Sequence, residues 1–211
     1  EHLKKTKPEN YRHEYMGEVT GTGGEVFTNL GIREIDGEEI AVFDQIRRGI
    51  DFGYAVDPFV YLVCHYDRTR KRLYIFDEIY QAGLSNKAAA ERILKKDAYD
   101  SYIICDSAEP KSIRELQGYG LRVRGAKKGP DSVEYGIKFL QSLEAIVIDP
   151  VRCPHTAEEF YNYELERDSR GEFKAAYPDK DNHTIDAARY ALEDDMGSRR
   201  GIVINRTELG L

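Results

Sequence analysis

The sequence IRRGIDFGYAVDP, from Ile46 to Pro58, is typical of a strand that enters a core and ends at a carboxylate, Asp51. Gly53 then allows the chain to turn away. Ile50 and Phe52 flank Asp51, so the pattern predicts that this carboxylate lies among apolar side chains. A carboxylate in such surroundings is costly unless it is paired or bound to a cation. Two interpretations of Asp51 follow: a solvated or turn-capping acid at a strand edge, or a metal ligand.

The sequence around this stretch predicts a central meander of three antiparallel strands. Their predicted bounds are Ile46–Phe52, Phe59–Tyr66 and Arg72–Ile79. An earlier pair of strands, Val26–Ile35 and Glu39–Phe43, is predicted to turn at Asp36-Gly37, a dipeptide typical of hairpins.

Helices and short strands alternate after the meander. The predicted helices are Ser85–Leu94, Glu109–Gln117, Val133–Leu143, Thr156–Phe160 and His183–Asp195, and the predicted strands are Tyr102–Cys105, Leu121–Arg124 and Ala145–Ile148. An added β-hairpin is predicted over Tyr163–Tyr177, turning at Ser169–Gly171. This order predicts an α/β fold with a mixed sheet and helices on its faces.

The composition of the chain limits the classes of function that it can have. The chain has 211 residues, a net charge of -7 and three widely spaced cysteines, which form neither a zinc spacing nor a disulfide framework. A reducing compartment is therefore expected, and no apolar run is long enough for a membrane span. The acidic balance argues against tight nucleic-acid binding by the whole surface, although bound cations can reverse the charge of a local site. The chain has no phosphate-binding loop of the P-loop type.

Two further stretches carry carboxylates at positions that suit a site. Asp106 follows the apolar run Ile103–Cys105, and strand ends in α/β sheets form the usual crevice. In NHTIDAARYAL, from Asn182 to Leu192, His183 and Asp186 are three residues apart and share a helix face. Each residue also has a structural interpretation: Asp106 as a cap, His183 as a surface residue, and Asp186 as an acid favoured by the helix dipole.

Convergence of Asp51, Asp106 and Asp186 would produce strong repulsion without cations. Two divalent ions about 3.5–4 Å apart would hold the three carboxylates and suit in-line attack on a phosphodiester. Carboxylate ligands fit Mg²⁺ or Mn²⁺, and the imidazole of His183 favours Mn²⁺. Asp57, Glu78 and Asp149 are weaker candidates for a direct role.

A basic segment follows Asp106. It contains Lys111, Arg114, Arg122, Arg124, Lys127 and Lys128. Such a run is commonly a solvated surface, but beside a metal site it would contact the phosphate backbone of DNA without reading its sequence.

The stretches GIDFGYAVDP, IICDSAEP, AKKGPDS and NHTIDAARYAL, in this order, resemble the C-terminal nuclease domain of the large terminase subunit of tailed bacteriophages. The resemblance runs from about Tyr11 to Asp195. It implies an RNase H-like fold and metal-dependent cleavage of concatemeric viral DNA at the start and end of packaging. The metal carboxylates would be Asp51, Asp106 and Asp186, with His183 beside them.

The resemblance also implies a domain plan and partners. Residues 1–12 would be a linker from an upstream ATPase domain, residues 13–196 the nuclease domain, and residues 197–211 a C-terminal tail. The first residue is Glu, as expected for part of a longer chain. The expected partners are double-stranded DNA, the ATPase domain, the terminase small subunit and the portal protein, with no membrane. The expected location is the host cytoplasm, and transiently the procapsid portal.

Two rival functions remain open at this point. One is another RNase H-like nuclease, such as a junction resolvase or a transposase core. The other is a docking domain without catalytic activity that binds DNA or the portal.

Overall fold

The computed structural model describes residues 22–53, 57–96, 101–127, 129 and 131–197. The strands in this part of the chain are β1 (Leu30–Ile32), β2 (Ile46–Asp51), β3 (Pro58–Asp67), β4 (Arg72–Ala82), β5 (Ile103–Cys105), β6 (Val123–Gly125) and β7 (Ala145–Ile148). The α-helices are α1 (Gly37–Ala41), α2 (Asn86–Lys96), α3 (Pro110–Gly118), α4 (Ser132–Gln141), α5 (Pro154–Asn162) and α6 (His183–Ala191).

The strands form one mixed sheet in the order β1-β7-β4-β3-β2-β5-β6. β2, β3 and β4 are antiparallel neighbours, whereas β5 and β6 extend the sheet in parallel on one side and β7 and β1 on the other. All but the last residue of β3 are buried, as expected for a central strand covered on both faces. The predicted meander and mixed α/β sheet are confirmed.

Helices cover both faces of the sheet. α4, α5 and α6 pack on the face that carries Val60 and Leu62, and α2 and α3 pack on the opposite face. α6 approaches β2 closely because Gly49 has no side chain: a Cβ atom there would lie 1.9 Å from the carbonyl oxygen of Ala187. Because side chains alternate along a strand, Asp51 points to the same face as Gly49, towards α6.

The predicted hairpin at Asp36-Gly37 is wrong. Only Leu30–Ile32 forms a strand, parallel to β7, and Gly37–Ala41 is a short helix. The Asp36 carboxylate accepts a hydrogen bond from the Glu39 amide at 2.8 Å, and this N-cap starts the helix. Asp-Gly therefore serves as a helix start here, because an acidic cap followed by two glutamates favours a first helical turn.

The segment Tyr163–Tyr177 folds back on itself but is less regular than a two-stranded ladder. Arg167 and Phe173 form an isolated bridge, and the Asp168 amide donates to the Glu172 carbonyl at 2.8 Å across the turn. The last helix is shorter than predicted, ending at Ala191 before a 3₁₀ turn over Glu193–Asp195. None of the helices described is long and apolar enough to cross a membrane.

Candidate metal centre

Asp51 ends β2 and is only 9% exposed. It points towards α6, whose first residues lie beside it. The three preceding residues, Arg48–Ile50, are buried, so the carboxylate is held by a rigid element at the edge of the core. This placement brings a charged group to the position where strand and helix meet.

Asp106 lies beside Asp51 across the parallel β2–β5 pair. The register joins Ile50 to Cys105, the last residue of β5. The next residues, Asp51 and Asp106, therefore lie side by side at the ends of two strands that are about 4.8 Å apart. The Asp106 amide also donates to the Ile50 carbonyl at 3.2 Å. One carboxylate oxygen of Asp106 accepts from the Ala108 amide at 2.8 Å, so this residue also closes the turn after β5.

His183, the first residue of α6, contacts the Asp51 carboxylate. Its Nδ1 lies 3.1 Å from Asp51 Oδ2, and its Nε2 lies 3.9 Å from Asp57 Oδ1. The hydrogen bond with Asp51 raises the pKa of His183 most strongly, and the negative charges around it add to the effect against the opposing influence of burial. The imidazole is therefore fixed against one predicted ligand.

Asp186 lies one turn along α6 from His183. Burial raises its pKa, and the charge of Asp51 contributes in the same direction. Arg189, itself only 5% exposed, forms an ion pair with Asp186 and donates through Nη2 to the Ser132 carbonyl at 3.2 Å. Arg189 packs against Gly136 of α4, so it neutralises Asp186 from a fixed position between two helices.

These donors are chemically suited to a hard divalent cation. Carboxylates supply the oxygen ligands that Mg²⁺ and Mn²⁺ prefer, and two of them lie on neighbouring strands. Over the described residues, however, no three His, Cys, Asp or Glu side chains approach closely enough to hold a metal ion. One oxygen of the Asp186 carboxylate, Oδ1, is engaged by Arg189.

The predicted basic residues occupy different environments. Lys111 and Lys127 are exposed, and Arg122 lies 4.8 Å over the Tyr102 ring. Arg124 pairs with Glu193 at 2.9 Å and with Asp194 at 2.6 Å, which neutralises much of its charge. Lys128 lies outside the described residues.

Two of the weaker acidic candidates have structural roles. Asp149 is fully buried and accepts hydrogen bonds from the amides of Ile35, Val151 and Arg152. Glu78 binds the start of α5 through Thr156. Asp57, by contrast, lies close to His183 and faces the candidate site.

Sequence reasoning missed two buried charged residues near the site, Arg189 and Glu159. Arg189 had a usable signal, since it is three residues beyond Asp186 on the predicted helix. Glu159 accepts from the Thr184 amide across 25 positions of sequence. No local pattern could have revealed that contact.

The terminase RNase H-like domain family model matches residues 51–194, from the first predicted ligand to the acidic turn after α6. The chain belongs to this family. Its sequence is 47% identical over 200 residues to the terminase large subunit of Bacillus phage SPP1, covering 93% of this chain and 47% of that protein. The chain therefore spans about half the length of the curated relatives it matches.

Solved structures agree with this membership. The nuclease domain of the SPP1 large terminase, crystallised with bound Mn, matches with a TM-score of 0.75 and 47% identity over 80% of this chain and 98% of that one. The large terminase nuclease of the thermophilic phage G20c, crystallised with bound magnesium, matches with a TM-score of 0.56 and 15% identity over 81% and 97% of the two chains. The latter match shows the shared fold, and the predicted RNase H-like architecture is confirmed.

Proposed function

We propose that this chain is a metal-dependent endonuclease domain that cuts double-stranded DNA with two Mn²⁺ or Mg²⁺ ions. The observation that carries the proposal is the meeting of β2, β5 and α6, which brings Asp51 and Asp106 side by side beneath the helix that bears His183 and Asp186. The similarity to the Mn-bound nuclease domain from phage SPP1 supports it.

Each side chain has a distinct proposed role. Asp51, between the other groups, would contact both ions, while Asp106 and Asp186 would each complete one site. His183 would bind an ion or orient the attacking water. Bound divalent ions would activate that water and stabilise the charge on the leaving oxygen. Arg189 would give up its ion pair with Asp186 when the ligand set assembles.

We also propose a substrate and partners for this domain. The substrate would be concatemeric viral DNA, cut when genome packaging begins and ends. An ATPase domain of the same polypeptide, the terminase small subunit and the portal protein would be its partners, in the host cytoplasm and at the procapsid. Lys111, Arg122, Arg124, Lys127 and Lys128 would contact the DNA backbone, with Arg124 first released from its acidic partners.

A plasmid-nicking assay with Mn²⁺, Mg²⁺ and Ca²⁺ tests the chemistry. Asp51→Ala, Asp106→Ala and Asp186→Ala should each abolish cleavage while the protein remains folded. Asp44→Ala, an exposed acid just before the other end of β2, is the matched control and should cleave like the parent. Full activity in any folded variant would remove that residue from the site. A preference for four-way junctions over linear duplex would favour a resolvase instead.

A further inference from the structure

The start of α6 is held by a carboxylate from another helix. Asn182 occupies the N-cap position of α6 but makes no capping bond through its side chain. Instead, Oε2 of Glu159, on α5, accepts from both the amide and the hydroxyl of Thr184 at 2.7 Å each. Glu159 thus supplies the acceptor that a helix start ordinarily takes from its own N-cap residue.

A second contact of the same kind lies near the start of α5. Glu78 of β4 accepts from the amide of Thr156 at 3.0 Å and from its hydroxyl at 2.7 Å, near the start of α5. Both threonines are fully buried. Two glutamate–threonine contacts therefore link the sheet to α5 and α5 to α6.

Burial of the Glu159 carboxylate costs free energy of folding. Glu159 is only 8% exposed, and burial raises the pKa of its carboxyl group, while hydrogen bonds from Thr184 and Tyr80 act in the opposite direction. A buried carboxylate is tolerated only when its oxygens are hydrogen-bonded, and Thr184 supplies two of these donors. What Glu159 does hold is Thr184, which lies between His183 and Asp186.

We infer that Glu159 is a positioning residue for the metal centre, which it serves by fixing the first turn of α6, and that Glu78 supports it by fixing α5. This inference rests on the proposed function, because it assigns a purpose to the placement of His183 and Asp186. Groups that hydrogen-bond directly to metal ligands change metal affinity by about 10-fold to 100-fold when removed, and because Glu159 acts through Thr184 we expect the lower end of this range.

The test compares Mn²⁺ binding by calorimetry among variants that remain folded by circular dichroism. Glu159→Ala should raise the Mn²⁺ dissociation constant about 10-fold. Glu159→Gln retains a carbonyl oxygen for Thr184 and should recover part of the loss. Glu158→Ala removes the exposed neighbouring carboxylate and should bind like the parent.

A second pair of variants covers the case in which Glu159→Ala does not fold. Thr184→Val removes one hydrogen bond to Glu159 and should weaken Mn²⁺ binding, whereas Thr184→Ser keeps the hydroxyl and should not. Hydrogen exchange of the amides from His183 to Asp186, measured without metal, should accelerate in Glu159→Ala and Thr184→Val.

Failure of the positioning role and failure of the proposed function give different experimental results. Parent-like Mn²⁺ affinity in folded Glu159→Ala, or in Thr184→Val, overturns the positioning role. Unchanged amide exchange in both variants also overturns it. A parent protein that binds no Mn²⁺ overturns the proposed function, and the positioning role with it.

Discussion

Replacing Gly49 with alanine should disturb the proposed metal centre without changing any of its proposed ligands. The added Cβ would lie 1.9 Å from the Ala187 carbonyl oxygen, and real Cβ contacts essentially never fall below 3.0 Å, so β2 and α6 must separate by about 1.1 Å. The opposing atoms belong to the helix backbone and cannot rotate away. Asp51 lies two residues along β2, and Asp186 precedes Ala187, so the separation opens the site itself.

The expected effects are large enough to measure. Inserting a methyl group into a packed core costs roughly 1–3 kcal/mol, so the free energy of unfolding should fall by about that amount. A misplacement near 1 Å costs about 100-fold in rate when groups must be aligned for reaction. Cleavage of supercoiled plasmid should therefore fall about 100-fold, and Mn²⁺ binding by calorimetry should weaken.

Gly31→Ala provides the control because it adds the same methyl group elsewhere in the sheet. A Cβ at Gly31 would lie 3.7 Å from Val147, an ordinary contact, and β1 lies at the opposite edge from Asp106. This variant should keep parent-like metal binding and cleavage. If folded Gly49→Ala also matches the parent in both assays, the close approach of α6 to β2 does not set the geometry of the site.

Three further predictions address other parts of the molecule. Replacing Lys127 and Lys128 together with alanine should weaken DNA binding for all sequences and reduce the salt slope by up to about two units, at roughly 0.9 per phosphate contact; Lys87→Ala is the control, and an unchanged slope would indicate an ordinary solvated surface. The segment Tyr163–Tyr177 shortly precedes α6, so it can limit which DNA enters the candidate site. Shortening its turn across Asp168–Glu172 should therefore leave Mn²⁺ affinity nearly unchanged but alter the cleavage rate or the ratio of nicks to double-strand breaks; parent-like values in both assays would refute this gating role. Burial raises the pKa of the Cys64 and Cys105 thiols to about 12 and also raises that of Cys153, so a thiol reagent at pH 8 should label no cysteine in the native protein and all three in guanidinium. Because the folded state retains these protons, stability should fall as the pH rises from about 9 towards 12, and rapid labelling of the native protein would contradict the burial of these thiols.

The adjacency of Asp51 and Asp106 could be predicted because both follow short apolar runs that suit neighbouring buried strands. The shared face of His183 and Asp186 followed from helical periodicity alone. The Asp36-Gly37 turn was mispredicted because the same dipeptide suits a hairpin and a helix start, and only the tertiary contacts of β1 with β7 decide between them. Local patterns thus predicted the placement of the candidate ligands on their strands and helix, but not the contacts that hold them there.

The other features that set the geometry of the candidate site are contacts between residues far apart in sequence. In the sequence, Gly49 resembles any glycine within a strand, and only the structure shows that α6 packs against it. Glu159 likewise resembles a surface acid of α5, and only the structure shows its hydrogen bond with Thr184. Arg189 adds a competing requirement, since the Asp186 carboxylate that would bind a cation is already paired. Because the same helix carries His183, Asp186 and Arg189, its position on the sheet sets both the geometry of the proposed ligands and the ion pair between Asp186 and Arg189. Metal affinity in this domain should therefore depend on how α6 is seated as strongly as on which residues it carries.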